Sequence, residues 1–173
     1  TSGNDTGGSQ INGTANDDTL SGLAGADTID AGAGNDTVYG HNHDGSGDDN
    51  ANDRVYGVAG NDTLYGGGGH DTLDGGAGSD HIYGGDGNDV LVDGYRETVA
   101  SQNLLEGEAG DDSYYISYAQ IDSNSDVESV YIIDSSGSDS IRFRNGNSDD
   151  LGDDQKYLLS NLSFKRLIDH DLI

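Results

Sequence analysis

The sequence predicts an all-β solenoid, in which short strands coil repeatedly around one narrow core. The main observation is segment 57–92, where four nine-residue units follow one another without a break: GVAGNDTLY, GGGGHDTLD, GGAGSDHIY and GGDGNDVLV. Each unit has glycine at its fourth place, aspartate at its sixth and an aliphatic residue at its eighth. A strict period is typical of repeat architectures, whose units each stack on their neighbours.

Each unit divides into a turn and a strand. The last three residues, as in Thr63-Leu64-Tyr65, alternate so that the middle side chain points inward and its neighbours outward. The first six form a turn, whose glycines allow positive φ and let backbone carbonyls approach one point. The sixth-place aspartates lie beside these carbonyls. Carbonyl and carboxylate oxygens together indicate a site for a hard cation, and they suit calcium better than magnesium or a transition metal.

The pattern GGxGxDx(aliphatic)x resembles the nonapeptide repeat of the RTX proteins, the haemolysin-type calcium-binding family. The resemblance implies a calcium-bound parallel β-roll (a β-solenoid) with a β-rich C-terminal cap. Two units would make one coil, strands would alternate between two facing sheets, and calcium would sit between successive turns. The predicted metal-binding residues are sixth-place aspartates and turn glycines, namely Asp18, Asp27, Asp36, Asp53, Asp62, Asp71, Asp80, Asp89, Asp112, Gly60, Gly67, Gly69, Gly76, Gly78, Gly85 and Gly87.

Alternate units should stack on opposite edges of the roll. One edge is predicted to carry Asp18, Asp36, Asp62, Asp80 and Asn103, and the other Asp27, Asp53, Asp71, Asp89 and Asp112. The eighth-place residues should form the core, which is Leu20, Ile29, Val38, Val55, Leu64, Leu73, Ile82, Leu91, Leu105 and Tyr114.

The chain is expected to have three parts. Residues 1–12 read as a linker, residues 13–115 as the β-roll, and residues 116–173 as a β-rich capping region in which the glycine repeat gives way to alternating strand-like runs. Segments 40–56 and 93–106 exceed one unit, so each predicts an expanded turn beside a retained strand.

Two acidic segments offer further metal hypotheses. The expanded turn contains His41, His43, Asp44, Asp48 and Asp49, which fits a solvated loop better than a second-metal site, although one extra calcium is an alternative. Segment 122–128 begins DxNxD like an EF-hand loop. Val127 stands where the loop needs glycine, so at most a weaker calcium site shared with Glu128 is expected.

The outer face carries a repeated aromatic residue. Tyr39, Tyr65 and Tyr83 occupy the ninth place of units on the same sheet, beside Thr19, Thr37 and Thr63. The tyrosines should stack about 4.8 Å apart. Cross-strand packing is the favoured interpretation, and a surface for a sugar or a partner is the alternative.

Charge dominates the composition. The chain has 173 residues with 33 acidic and 7 basic side chains, a formal charge of -26, and only 31% hydrophobic residues. Such a chain should be disordered without a counter-ion, and roughly six to eight calcium ions, as the repeat count suggests, would make metal binding part of the folding free energy. The same charge argues against nucleic acid and anionic membranes as partners.

Other classes of chemistry have no support in the sequence. There is no cysteine, no apolar run long enough for membrane insertion, and no G-x-S-x-G, H-E-x-x-H, G-x-G-x-x-G or phosphate-loop motif, so we expect no catalytic residues and no enzyme activity. The resemblance implies a calcium-dependent folding and structural module of a large secreted bacterial protein, of the RTX adhesin or toxin type, exported by type I secretion and folded outside the cell. A cell-surface or glycan partner would then act through the parent protein. The alternative is a module that binds a glycan, a peptide or ice through its Tyr/Thr face.

Overall fold

The computed structural model describes residues 7–41, 50–94, 101–118 and 129–145. Within these residues the chain forms thirteen β-strands. They are β1 Gln10–Thr14, β2 Thr19–Ser21, β3 Thr28–Gly32, β4 Thr37–Tyr39, β5 Arg54–Tyr56, β6 Thr63–Gly68, β7 Thr72–Asp74, β8 His81–Asp86, β9 Val90–Val92, β10 Gln102–Ala109, β11 Ser113–Tyr118, β12 Ser129–Ile133 and β13 Ser140–Asn145. None of the elements in this described part is a helix able to span a bilayer.

The strands form two parallel sheets that the chain visits alternately. The seven odd-numbered strands lie in chain order in one sheet, and the six even-numbered strands lie in chain order in the other. Each strand pairs with the strand two elements later, so that Leu20 lies beside Val38 and Val55 beside Leu73. Two nine-residue units therefore complete one coil, which confirms the predicted parallel β-roll.

The expanded turns leave the strand register intact. Val38 pairs with Leu64 across the first expanded segment, and Ile82 pairs with Leu105 across the second. The eighth-place residue therefore stays in phase although the chain between paired strands is longer there. Residues 42–49 and 95–100, which hold most of the extra length, lie outside the described residues.

The core is a column of eighth-place side chains between the sheets. Eight of the ten predicted core residues are fully buried, and Tyr114 is 1% exposed. Leu20 is only partly buried because it lies in β2, the edge strand of its sheet. Ala31 and Ile116 add to this column. Each strand thus contributes little more than one apolar side chain, which gives the roll a thin hydrophobic core.

The roll extends further at both ends than the predicted boundaries. Strand β1 pairs with β3 although residues 1–12 were expected to be a linker, and Ile11 packs against the core. At the other end β12 and β13 continue the two sheets in parallel, beyond the boundary expected at residue 115. The reason is a degenerate unit, DSSGSDSIR from Asp134, that keeps glycine, aspartate and an aliphatic residue at the fourth, sixth and eighth places. The remainder of the expected cap, residues 146–173, lies outside the description.

Positive φ recurs at two places of the turn. The fourth-place glycines Gly60, Gly69, Gly78 and Gly87 have φ between 121° and 140°. A Cβ at Gly78 would also overlap the carbonyl oxygen of Gly60 in the preceding coil. The second place also has positive φ, yet Leu23, Val58 and Glu108 occupy it with φ between 72° and 78°. These side chains are therefore held in a backbone conformation that disfavours them.

Replacing Val58 with glycine is expected to stabilise the roll. Val58 has φ 77° and is 45% exposed, so the substitution relieves backbone strain and removes little packing. Strain relief of about 1–2 kcal/mol exceeds the glycine entropy cost of about 0.5–1 kcal/mol, which leaves a net gain of roughly 0.5–1 kcal/mol. Urea unfolding at saturating calcium measures the change. Val90→Gly, in strand β9, is the control and should destabilise; destabilisation by both would contradict the strain argument.

Candidate metal sites between the coils

The sixth-place aspartates form a hydrogen-bonded ladder along each edge of the roll. From the second member of each ladder onward, the side-chain Oδ1 accepts the backbone N–H of the sixth-place residue in the preceding coil, as in Asp62 N–H to Asp80 Oδ1 at 2.9 Å. We call one edge the Asp18 ladder, formed by Asp18, Asp36, Asp62, Asp80 and Asn103. The opposite edge is the Asp27 ladder, formed by Asp27, Asp53, Asp71, Asp89 and Asp112. The structure thus places the aspartates on the two edges as the period predicted.

The aspartates within the ladders are buried. Every one of them except Asp18 is at most 2% exposed. In five of them, Asp36, Asp62, Asp80, Asp89 and Asp112, the second carboxylate oxygen, Oδ2, is buried and makes no hydrogen bond. A buried, ionised carboxylate oxygen without a donor is strongly unfavourable unless a proton neutralises it or a cation compensates it. Each ladder, when ionised, therefore presents oxygens that need a cation.

Backbone carbonyls converge on the same oxygens at the first place of each unit. A Cβ at Gly57 would lie 2.5 Å from both Asp62 Oδ2 and the carbonyl oxygen of Gly75 in the next coil. The same arrangement recurs at Gly66, beside Asp71 Oδ2 and the Gly84 carbonyl. Only glycine leaves this space open. One carboxylate and one carbonyl oxygen from successive coils therefore meet there, and such oxygens are suitable ligands for calcium.

The first-place glycines beside the carboxylates are not among the predicted site residues. The predicted set contained the second-place glycines Gly67, Gly76 and Gly85 and the fourth-place glycines. In the structure those residues have positive φ and pack against the preceding coil; a Cβ at Gly85 would overlap the Gly67 carbonyl. The signal for the missed set was present, since glycine opens all four consecutive units. Glycine recurs at the first place because the carboxylate beside it needs the space that a Cβ would fill, and the period alone does not show this.

Burial raises the pKa of the ladder carboxyls. The pKa of Asp80 rises to about 7, and those of Asp62 and Asp89 rise to about 6, with burial the largest cause in each. The backbone N–H that each Oδ1 accepts opposes the rise, and the neighbouring aspartate of the ladder adds to it. The charged form is thus disfavoured in the folded chain when no cation is bound.

Two ladder positions differ from the others. Asp18 is only partly buried, and its Oδ2 accepts the backbone N–H and the hydroxyl of Thr14, each at 2.7 Å. At Asn103 the amide Nδ2 takes the place of a carboxylate oxygen and donates to the Asp93 carbonyl at 3.1 Å. Asn103 therefore satisfies a first-place carbonyl with a hydrogen bond. Asp93 itself is buried, and its Oδ1 accepts the Ser117 N–H at 2.7 Å, a role that the interrupted repeat did not predict.

A second, exposed ladder runs along the fifth places of the turns. Asn35 Oδ1 accepts the Asn61 N–H and Asn61 Oδ1 accepts the Ser79 N–H, both at 2.8 Å. On the other edge His70 Nδ1 accepts the Asn88 N–H at 2.8 Å. This ladder was not predicted, although asparagine recurs at the fifth place. It holds each turn against the next and explains His70 as a structural residue.

The predicted tyrosine ladder is confirmed. The ring centroids of Tyr39 and Tyr65, and of Tyr65 and Tyr83, are 4.9 Å apart, with interplanar angles of 6° and 9°. His41 contacts Tyr39 edge-on. The rings therefore cover one another's faces and present their edges outward. The other members of the two further metal hypotheses, residues 43–49 and 122–128, lie outside the described residues.

Lower pH is expected to favour the metal-free fold. The folded pKa values of about 6 to 7 for Asp62, Asp80 and Asp89 exceed the ordinary value of 3.8, so between these limits the folded chain binds more protons than the unfolded chain. Stability without calcium should therefore rise as the pH falls from 7.5 to 5. Far-ultraviolet circular dichroism of the dialysed, metal-free chain measures it, and loss of β signal on acidification would oppose the prediction.

Asp80→Asn tests the local cause of this pH dependence. The amide removes a buried titrating carboxyl, so the metal-free fold should become more stable at pH 7.5 and less sensitive to pH. Asp86→Asn is the matched control, because Asp86 is exposed and loses the same charge. Equal effects of the two substitutions would assign the pH dependence to net charge rather than to burial.

Comparison with known proteins agrees with this geometry. The family model of the RTX calcium-binding nonapeptide repeat, in four copies, matches residues 12–42, 48–81 and 65–92. No curated protein matches the chain significantly. The matched segments contain the aspartate ladders from Asp18 to Asp89 and the first-place glycines beside them. The protein therefore carries RTX calcium-binding nonapeptide repeats within residues 12–92, folded as a parallel β-roll.

Proposed function

We propose that this chain is a calcium-dependent folding and structural module of a larger secreted bacterial protein of the RTX adhesin or toxin type. The observation that carries the proposal is the set of buried ladder carboxylates whose Oδ2 makes no hydrogen bond. RTX calcium binding and the β-roll support it. In this proposal the module itself has no catalytic role, and calcium is its direct partner.

Calcium removes the main electrostatic cost of the fold. Strand pairing brings ladder aspartates of successive coils to about the strand spacing of 4.8 Å, and two unit charges about 4 Å apart interact by about 4 kcal/mol near a protein surface. These repulsions add to a formal charge of -26. A divalent ion between successive coils changes repulsion into attraction, so binding free energy becomes folding free energy.

The ladder geometry makes binding cooperative. In the five aspartates whose Oδ2 is unpartnered, Oδ1 binds the preceding coil and Oδ2 is offered to a cation, so an ion that orders one such carboxylate also orders the adjacent coil. In a solenoid each coil contacts mainly its neighbours, and order propagates along the stack. Roughly six to eight ions, the count we propose from the repeats, would then bind within a narrow calcium range.

The affinity that suits this role is weak. Extracellular calcium modules have Kd values of about 10⁻⁴ to 10⁻³ M, whereas cytosolic sensors bind at about 10⁻⁷ to 10⁻⁵ M. Sites of the extracellular class release calcium where it is scarce. The chain would stay unfolded during type I secretion and fold outside the cell or at its surface. RTX repeats are characteristic of secreted bacterial proteins, which supports this location.

The alternative function, binding of a glycan, peptide or ice by the Tyr/Thr face, gains no support from the geometry. Sugar rings stack on exposed aromatic faces. In the tyrosine ladder the faces of Tyr65 are covered by Tyr39 and Tyr83. The tyrosines are therefore better explained as cross-strand packing that stiffens one sheet.

A calcium titration followed by far-ultraviolet circular dichroism tests the proposed function. We expect a steep gain of β signal at roughly millimolar calcium, and none with equal magnesium, which requires a smaller octahedral site. A chain that is already folded in excess chelator at neutral pH would refute the proposal. The titration reports metal identity, folding and cooperativity in one curve.

Removal of two ladder carboxylates should shift this titration. Asp71→Ala with Asp89→Ala deletes adjacent members of the Asp27 ladder, and the calcium midpoint should rise by roughly tenfold or more, since 1.4 kcal/mol already corresponds to tenfold. The matched control is Asp30→Ala with Asp86→Ala, which removes two exposed acids. A midpoint that is unchanged in the first variant, or equally shifted in both, would show that the ladder aspartates are not the ligands.

A further inference from the structure

Three aspartates meet at the C-terminal end of the Asp27 ladder. Asp112, Asp134 and Asp139 each offer a carboxylate oxygen, and these oxygens lie within 4.8 Å of one another. Asp139 continues the ladder, since its Oδ1 accepts the Asp112 N–H at 3.0 Å. Asp134 stands at the first place of its unit, where the four consecutive units of segment 57–92 have glycine. At this end of the roll a third carboxylate thus stands where the units of segment 57–92 have glycine.

Asp112 points an unpartnered oxygen into this cluster. Its side chain is 1% exposed, and its Oδ2 is buried without a hydrogen-bond partner. A Cβ at Gly107 would overlap both Asp112 Oδ2 and the Tyr114 hydroxyl, so these two oxygens face one space. A buried carboxylate beside two others calls for a positive charge.

Hydrogen bonds hold the third carboxylate in place. The Tyr114 hydroxyl donates to Asp134 Oδ2 at 2.5 Å, and the Ser136 N–H donates to Asp134 Oδ1 at 3.1 Å. Each of these oxygens keeps a lone pair for a metal ion. Asp134 and Asp139 are exposed, so water can complete the six to eight ligands that calcium takes.

We propose that Asp112, Asp134 and Asp139 bind a hard cation, Ca²⁺ or a trivalent lanthanide ion, as a side-chain site at the C-terminal end of the roll. The proposal rests on the proposed function, since calcium must first fold the coils that bring the three residues together. Asp134 and Asp139 lie outside the matched repeats. Three carboxylates give this site more negative charge than a site built of one carboxylate and carbonyls, so it should bind more tightly and favour Tb³⁺.

The test counts bound ions. Native mass spectrometry at saturating calcium should show one ion fewer in Asp134→Asn and Asp139→Asn, or a last ion bound roughly tenfold more weakly. Asp111→Asn is the matched control. It removes an exposed acid adjacent to Asp112, and its amide oxygen can still accept the Ser138 N–H. An unchanged count and affinity in both cluster variants overturns the proposal.

A second measurement keeps the test decisive if an amide variant fails to fold. The Tyr114 hydroxyl lies beside the cluster, so one equivalent of Tb³⁺ bound there should emit on excitation through tyrosine. Tyr114→Phe should remove most of this emission, and equal emission from both proteins overturns the site. Circular dichroism separates the two proposals, because a wild-type chain that gains no β structure with calcium refutes the proposed function instead.

Discussion

The burial of one carboxylate per turn is the constraint on which this structure depends. Each buried ladder aspartate must lie against the preceding coil, because its Oδ1 accepts a backbone N–H from that coil. That requirement places aspartate in phase with the strands and favours glycine at first places such as Gly57 and Gly66, where a Cβ would meet the carboxylate. The strands, by contrast, tolerate any aliphatic residue at the eighth place. The contacts at the two edges of the roll therefore constrain the residues of the repeat more than the packing of its core does.

The thin core explains why the edges must carry cations. A globular domain encloses several layers of apolar side chains, whereas this roll encloses a single column from Ile29 to Tyr114. Hydrophobic burial alone gives little to offset the chain entropy of ordering so many turn residues. The buried aspartates make the metal-free fold less favourable still. In the proposed function calcium neutralises these same carboxylates and links successive coils, so the aspartates that disfavour the metal-free fold would favour the calcium-bound one.

The features that follow from the period could be predicted from the sequence, and those that depend on contacts between coils could not. Leu64 and Leu73 are buried and Tyr39 stacks on Tyr65 because places in a strict repeat map directly onto faces of a sheet. Val58 at positive φ could not be foreseen, since the neighbouring units have glycine there and the backbone follows the majority. The first-place glycines were visible but were interpreted as turn flexibility. Their role depends on a carbonyl from the next coil, which no local pattern contains.

The roll extends beyond the residues with a clear repeat because stacking of coils depends on only a few places of the unit. The unit from Asp134 to Arg142 keeps only the fourth-place glycine, the sixth-place aspartate and the eighth-place aliphatic residue, and these three are the residues that stacking requires. Gly137 packs on Gly110, Asp139 accepts the Asp112 N–H, and Ile141 lies in register with Tyr114. A pattern search weighs every place of the unit alike, whereas stacking depends on a few. Asp134 stands at the first place of its unit, where most units have glycine. Tyr114 stands at the eighth place of the unit in the preceding coil, where other units have an aliphatic residue, and its hydroxyl donates to the Asp134 carboxylate. Two departures from the repeat therefore compensate each other, which indicates that the last coil follows the same physical rules as the coils before it.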